Sequence, residues 1–207
     1  DISPEKLAER LIDPGEYWGW PNGIAVETQV SKQADVTQLF MLHPRAYSRE
    51  VMAANIDYYE PRTQHGSSLS PSVYGIVGAW IGHDDISYDY FIRSCAVDLF
   101  NTNKAVSGGT FIGGIHTAAC GVAWQIVTAG FLGMDVDGSQ LSFAPRLPAG
   151  WQRVSFQLEI RGAGIDVDVS RHVVHCTSRS DSAAAIMISV AGVSEELQPD
   201  AAVSLTF

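Results

Sequence analysis

Gly130-Phe131-Leu132-Gly133-Met134-Asp135-Val136-Asp137-Gly138-Ser139-Gln140-Leu141-Ser142-Phe143 is where the chain changes rhythm. Apolar residues recur every three to four positions before it and every second position after it. A helical half, residues 1–138, is therefore expected to precede a strand half, residues 139–207. Immediately upstream, Thr117 to Phe131 reads as a helix that is apolar nearly all round, which predicts a central position. Val73, Ile76, Val77, Trp80 and Ile81 mark one face of another helix, with Ser70 as its N-cap and Pro71 in its first turn. Tyr88, Phe91, Ile92, Cys95, Ala96 and Leu99 repeat the pattern after Asp84 and Asp85, completing a helical hairpin. Two further helices are expected over Lys32 to Leu42 and Ser48 to Tyr58. Downstream, Val154, Phe156, Leu158 and Ile160 alternate with polar residues, and Gly162-Ala163-Gly164 turns the chain into Ile165, Val167 and Val169. Ile186, Ile188 and Val190, then Val203, Leu205 and Phe207, continue the alternation. The fold class is mainly α with a C-terminal β domain, the latter a small antiparallel sandwich.

With 46% apolar and 17% charged residues, the 207-residue chain has the composition of a globular protein and not of a disordered one. A net charge of −10, with only 13 Lys and Arg scattered along the chain, argues against a nucleic-acid partner. A small neutral or anionic ligand fits better. Cys95, Cys120 and Cys176 stand in apolar stretches without metal-ligand spacing, and read as buried thiols of a reducing, cytoplasmic compartment. Gly113 to Met134 is long enough to span a bilayer, yet His116, Gln125 and its glycines favour a helix buried by protein over a membrane segment.

Two stretches carry polar chemistry. Ser107-Gly108-Gly109-Thr110-Phe111-Ile112-Gly113-Gly114-Ile115-His116-Thr117 brings a glycine-rich loop to a helix start, where backbone N–H groups and the helix dipole favour an anion. It lacks the Lys-Ser/Thr of a phosphate-binding P-loop and the glycine order of a dinucleotide fold, and its glycines also suit plain helix packing. Tyr58-Tyr59-Glu60-Pro61-Arg62-Thr63-Gln64-His65-Gly66-Ser67-Ser68-Leu69-Ser70-Pro71 crowds aromatic, cationic and hydroxyl groups ahead of a second helix start. Such a loop suits sugar stacking and oxygen-rich ligands, or simple capping. His172 and His175 should point to opposite faces of a strand, which speaks against a shared metal.

In order along the chain, Lys32-Gln33-Ala34-Asp35-Val36, Tyr58-Tyr59-Glu60-Pro61, His65-Gly66-Ser67-Ser68-Leu69-Ser70-Pro71, Gly114-Ile115-His116 with Trp124-Gln125 and Gly130-Phe131, and Leu141-Ser142-Phe143-Ala144-Pro145-Arg146-Leu147-Pro148 with Trp151 resemble glycoside hydrolase family 65. That family holds maltose, trehalose, kojibiose and nigerose phosphorylases with some hydrolases. The resemblance spans nearly the whole chain. It implies the last helices of an (α/α)6 barrel followed by the family's C-terminal β domain. It also implies Lys32 and Gln33 as contacts to the glucosyl unit, and Ser67, Ser68 and His116 as neighbours of phosphate. Gly66, Thr117 and Val122 depart from residues more usual at those places, so the resemblance does not choose the sugar.

The implied reaction is an inverting phosphorolysis of an α-glucoside such as trehalose or maltose, giving glucose 1-phosphate. The general acid is expected upstream, in a missing N-terminal part of the same protein, so this chain carries no catalytic residue and should be inactive alone. Inorganic phosphate is the co-substrate; no metal and no other cofactor is implied. The partners are a disaccharide, phosphate and the missing part, with homo-oligomers allowed because half a barrel leaves apolar helix faces uncovered. An inverting α-glucoside hydrolase, with Glu60 as the acid placed to serve as base, and a non-catalytic carbohydrate-binding or interaction module are the alternatives.

Overall fold

The computed structural model describes residues 28–100, 114–179 and 184–207, together with Ser3, Lys6, Glu9, Ala25 and Ser182. The glycine-rich stretch Ser107 to Gly113 lies outside the described residues. The chain divides into two compact units, residues 1–126 and 127–207. Among the described residues, no helix is long and apolar enough to cross a membrane.

Five helices occur in the described part of the first unit: α1 Asp35–Leu42, α2 Arg49–Tyr59, α3 Ser70–Ile81, α4 Asp84–Ala96 and α5 Thr117–Gln125. Beyond α5 the backbone loosens into a π-helical stretch, Ile126–Phe131. Phe40 of α1, Met52 and Ile56 of α2, Val73, Tyr74 and Val77 of α3 and Tyr90 of α4 share one core. In α3 every residue from Ser72 to Ala79 is buried, so it is the axis of the unit. Gly82 ends it with a left-handed φ of 87°, a conformation that glycine adopts without Cβ strain.

The α3–α4 hairpin packs on small and hydroxylic residues. A Cβ added at Gly78 would meet Ser87 at 3.5 Å, Ser87 Oγ donates to Gly75 O at 2.6 Å, and Ser72 and Ser94 share a buried hydroxyl bond of 2.8 Å. This reverses the face expected for α4. Its buried residues are Ser87, Tyr90 and Ser94, whereas Tyr88, Ile92 and Leu99 from the apolar stripe are exposed. Close approach selected small side chains, and the hydroxyls are paired, so their burial costs little. The 117–131 helix is enclosed only in its second part: α5 buries Ala119 and Ala123 and leaves Trp124 47% exposed, whereas Ile126, Thr128, Gly130 and Phe131 of the π-helical stretch are buried. Cys95 and Cys120 are exposed as well; only Cys176 is a buried thiol.

The second unit stacks two four-stranded sheets. One has the order β1-β2-β6-β7 (Asp135–Asp137, Gln140–Phe143, Ile186–Val190, Val193–Leu197), the other β3-β4-β5-β8 (Arg153–Ile160, Ala163–Ser170, Val173–Ser178, Ala202–Thr206). The second sheet is antiparallel throughout. The first contains a parallel pair, β2 with β6, because the chain leaves that sheet to build three strands of the other and re-enters in the same direction. Leu141, Phe143, Ile186 and Ile188 from one sheet and Ile165, Val167, Val174 and Leu205 from the other form a single core. The β3–β4 turn is the two-residue Arg161-Gly162, tighter than the glycine triplet suggested, and Ala191-Gly192 turns β6 into β7 the same way. Both turns need positive φ at both positions, 51° and 82° in the first, 49° and 83° in the second, which matches the right-handed twist of the strands.

Candidate functional site

Lys32, Gln33 and the polar loop 58–71 meet where the segment before α1 runs beside the loop between α2 and α3. Ser31 and Thr63 form a parallel β-bridge. Around it Ser31 N donates to Arg62 O at 2.9 Å, Gln64 N to Ser31 O at 2.9 Å and Gly66 N to Lys32 O at 2.8 Å. The backbone of Lys32 is thereby fixed against the residue that precedes Ser67 and Ser68. Both Lys32 and Gln33 are exposed, and the Gln33 amide donates to Asp35 Oδ1 at 3.2 Å.

The loop between α2 and α3 is held at each turn. Glu60–Arg62 forms a short 3-10 turn. Arg62 donates to Tyr58 O at 2.7 Å and stacks 4.0 Å over the Tyr58 ring, and Tyr58 Oη donates to Gln29. Thr63 Oγ1 donates to Tyr59 O at 2.8 Å and meets Tyr74 Oη at 3.0 Å. Ser67 Oγ accepts from Leu69 N at 3.3 Å, and Ser70 N donates to Ser67 O at 3.1 Å. Ser67 and Ser68 are half-buried in the turn that enters α3.

Ser70 is the first residue of α3 and not its cap. Its hydroxyl lies 2.9 Å from His65 Nδ1, while His65 Nε2 lies 2.8 Å from Tyr90 Oη, which donates to Glu60 Oε1 at 2.6 Å. The rings of His65, Tyr74 and Tyr90 pack at centroid distances of 5.1, 5.0 and 5.7 Å. Burial pulls the His65 pKa down to about 4, with the Arg93 charge adding to the effect, so the ring is neutral at neutral pH. Burial, the hydrogen bond to Glu60 and the Glu60 charge together push Tyr90 well up, and burial also raises Tyr74. Both phenols keep their protons. The Glu60 carboxylate is thus engaged by Tyr90, a use that the reading of Glu60 as a hydrolytic base did not foresee.

His116 stands directly before α5, as expected, and is seized by Asp98. The Asp98 carboxylate takes His116 N at 2.8 Å through Oδ2 and lies 2.7 Å from Nδ1 through Oδ1, with both side chains about 15% exposed. The helix start does hold an anion, and that anion is the protein's own carboxylate. A carboxylate has no proton to give, so Nδ1 carries one. Nε2 can then donate to a further anion only from the doubly protonated ring, whose charge Asp98 balances.

Backbone bonds therefore bring Lys32 beside Gly66 and the two serines, while His116 is placed by a different element, the residues just after α4. Asp98, Tyr90 and Tyr74 went unnoticed in the sequence. Asp98 and His116 are 18 residues apart, and no spacing rule links an acid after one helix to a histidine before the next.

Residues 17–125 match the model of the glycosyl hydrolase family 65 central catalytic domain, and residues 134–197 that of the glycosyl hydrolase family 65 C-terminal domain. The chain is 48% identical over 191 residues to a 1,2-alpha-glucosylglycerol phosphorylase of Bacillus selenitireducens, covering 92% of this chain and 25% of that protein. It is 38% identical to a nigerose phosphorylase of Lachnoclostridium phytofermentans, covering 84% and 23%. It is also 38% identical to an alpha,alpha-trehalose phosphorylase of Thermoanaerobacter brockii, covering 84% and 21%. A solved structure from the human microbiome, provisionally named a kojibiose phosphorylase, superposes with a TM-score of 0.75 at 26% identity, over 91% of this chain and 26% of that one. The chain spans about a quarter of the length of the curated relatives it matches.

Proposed function

This chain belongs to glycosyl hydrolase family 65, and from that premise we propose that it supplies the sugar and phosphate pocket of an inverting α-glucoside phosphorylase. The observation that carries the reading is the bond from Gly66 N to Lys32 O, 2.8 Å, which ties the glucose-recognising pair to the serine loop. Lys32 and Gln33 take hydroxyls of the glucosyl unit. Ser67, Ser68 and His116 donate to phosphate oxygens.

In this reading a phosphate oxygen attacks C1 of the glucosyl unit on the face opposite the leaving oxygen. The bond from C1 to that oxygen breaks, and the departing oxygen takes a proton from a carboxylic acid that lies in the upstream part of the protein. The products are the free acceptor and glucose 1-phosphate of inverted configuration. Because phosphate itself is the nucleophile, no second carboxylate is required as base, which agrees with Glu60 being engaged by Tyr90. Residues 1–138 then belong to the catalytic domain and 139–207 to the C-terminal β domain.

The names of the relatives propose the sugars to try, glucosylglycerol first, then trehalose, kojibiose and nigerose, and the sequence resemblance adds maltose. The test uses the full-length protein, each α-glucoside, and phosphorus NMR to follow the product. Glucose 1-phosphate should form only when phosphate is present, and with inverted anomeric configuration. Free glucose released at the same rate without phosphate would overturn the proposal in favour of a hydrolase.

A further inference from the structure

Ser70, His65, Tyr90 and Glu60 make one unbranched line of hydrogen bonds of 2.9, 2.8 and 2.6 Å. The direction of each bond follows from counting protons. An ionised carboxylate only accepts, so Tyr90 spends its single proton on Glu60. Toward His65, the phenol oxygen is then limited to accepting, so Nε2 carries the proton of the neutral ring. That leaves Nδ1 bare, and Ser70 must donate to it. Every proton in the line points from Ser70 toward Glu60.

The position of the line in the chain gives it a use. His65 precedes Gly66 and Ser70 follows Leu69, so the imidazole-to-hydroxyl bond closes a loop whose interior is Gly66, Ser67, Ser68 and Leu69. His65 also sits at a φ of 54°, the left-handed region that is strained for a residue with a side chain. Bonds at both ring nitrogens and packing between Tyr74 and Tyr90 hold it there against that strain. The opposite flank of the loop is tied by Gly66 N to Lys32 O at 2.8 Å.

We propose that the line from Ser70 through His65 and Tyr90 to Glu60 is a clasp that presets the Ser67-Ser68 turn to receive the phosphate oxyanion. It makes His65, Tyr90 and Ser70 positioning residues that do not themselves touch substrate. The inference rests on the reading that Ser67 and Ser68 take the phosphate. It adds that the hydroxyl of Ser70, though next to that turn, is committed to His65 and is not a third phosphate donor.

The test is Tyr90→Phe, which keeps the ring and removes one hydroxyl, with Ser70→Ala as a second cut at the other end of the line. Both are made in the full-length protein. Losing one hydrogen bond of this kind should raise KM for phosphate about tenfold, leaving KM for the α-glucoside within about twofold. At saturating phosphate kcat should return to within about threefold of the wild type, because preorganisation is lost and the chemistry is not. Amide hydrogen exchange of residues 66–69 should quicken in both variants with no phosphate present. If the wild-type protein makes no glucose 1-phosphate while the amides still quicken, the phosphate reading fails and the clasp stands as a loop lock. An active wild type whose two variants keep both the phosphate KM and the 66–69 exchange unchanged overturns the clasp. A rise shared equally by both substrates overturns it too, in favour of general destabilisation.

Discussion

Among the described residues, the helical unit buries more hydroxyls than the strand unit and exposes more large apolar side chains. In the strand unit the interior is mainly aliphatic, with Leu141, Ile165 and Ile188 fully enclosed beside the buried hydroxyls of Thr128, Ser178 and Ser189, and other polar side chains form a row on an open sheet face. Arg153 pairs with Asp168, Gln157 donates to Asp166 and His175 meets Ser204 across neighbouring strands of that face. The helical unit buries Thr37, Thr63, Ser70, Ser72, Ser87 and Ser94, and exposes Leu42, Leu99, Phe100 and Ile115 by 61 to 72%. A unit with a closed aliphatic core is complete in itself. On the proposed function, one that hides hydroxyls and shows leucines lines a polar pocket and is covered by further protein.

The largest test of that contrast separates the halves. Residues 127–207 expressed alone should sediment as a monomer and melt in one cooperative step, whereas residues 1–126 should self-associate at micromolar concentration. A dilute, folded, monomeric 1–126 would break the comparison. Within the strand unit, Ile165→Ala should cost about 2–5 kcal/mol in urea unfolding, since it opens a cavity between two sheets that meet at a fully enclosed side chain.

Periodicity located the described helices and strands β3, β4, β6 and β8 to within a few residues but not β1, β2 or β7, and the change of rhythm near Gly138 announced the order of the two halves. It failed on which way a helix faces. Tyr88, Ile92 and Leu99 look like a core stripe, yet the contact with α3 is made by Ser87 and Ser94, whose hydroxyls bond to Gly75 O and to Ser72 Oγ and whose small size lets Ser87 lie against Gly78. The loop from Tyr58 to Pro71 read, from its density of polar groups, either as ligand-facing or as plain capping, and the roles proposed for Lys32, Gln33, Ser67, Ser68 and His116 came from resemblance alone. The bonds that give the loop its shape join residues 25 and 30 positions apart through Tyr90, and those pairings exist only once α4 has folded against α3.

Acid sharpens the contrast next, because the helical unit buries a neutral histidine. His65 titrates at about 4 in the fold against roughly 6.5 in an unfolded chain, so between those values the unfolded state binds the extra proton. Stability from this group is fully present above pH ~6.5 and is lost as pH falls toward ~4, by about 1.4 kcal/mol per unit and about 3 kcal/mol in all. The groups facing the ring are Ser70, Tyr74, Tyr90 with Glu60 behind it, and Arg93. Carboxylates elsewhere titrate over part of that range, so the comparison to make is with His65→Gln, whose unfolding free energy should fall less steeply between pH 7 and 5. Equal slopes in the two proteins would remove His65 as the cause.

The smallest expected effect bears most directly on why the helical unit exposes large apolar side chains. Leu99 is 72% exposed, so Leu99→Ser removes almost no buried area and should change unfolding free energy by less than about 0.5 kcal/mol. Ile165→Ala deletes a comparable amount of hydrocarbon at a position with no exposure at all, so the two substitutions differ in environment far more than in chemistry. What Leu99→Ser should alter is association: residues 1–126 carrying it ought to sediment at a lower average mass than the unaltered fragment, because one of its most exposed aliphatic groups has gone. If Leu99→Ser instead costs the fragment stability while leaving its mass unchanged, Leu99 is part of an interior, and the idea that this face waits for further protein is wrong.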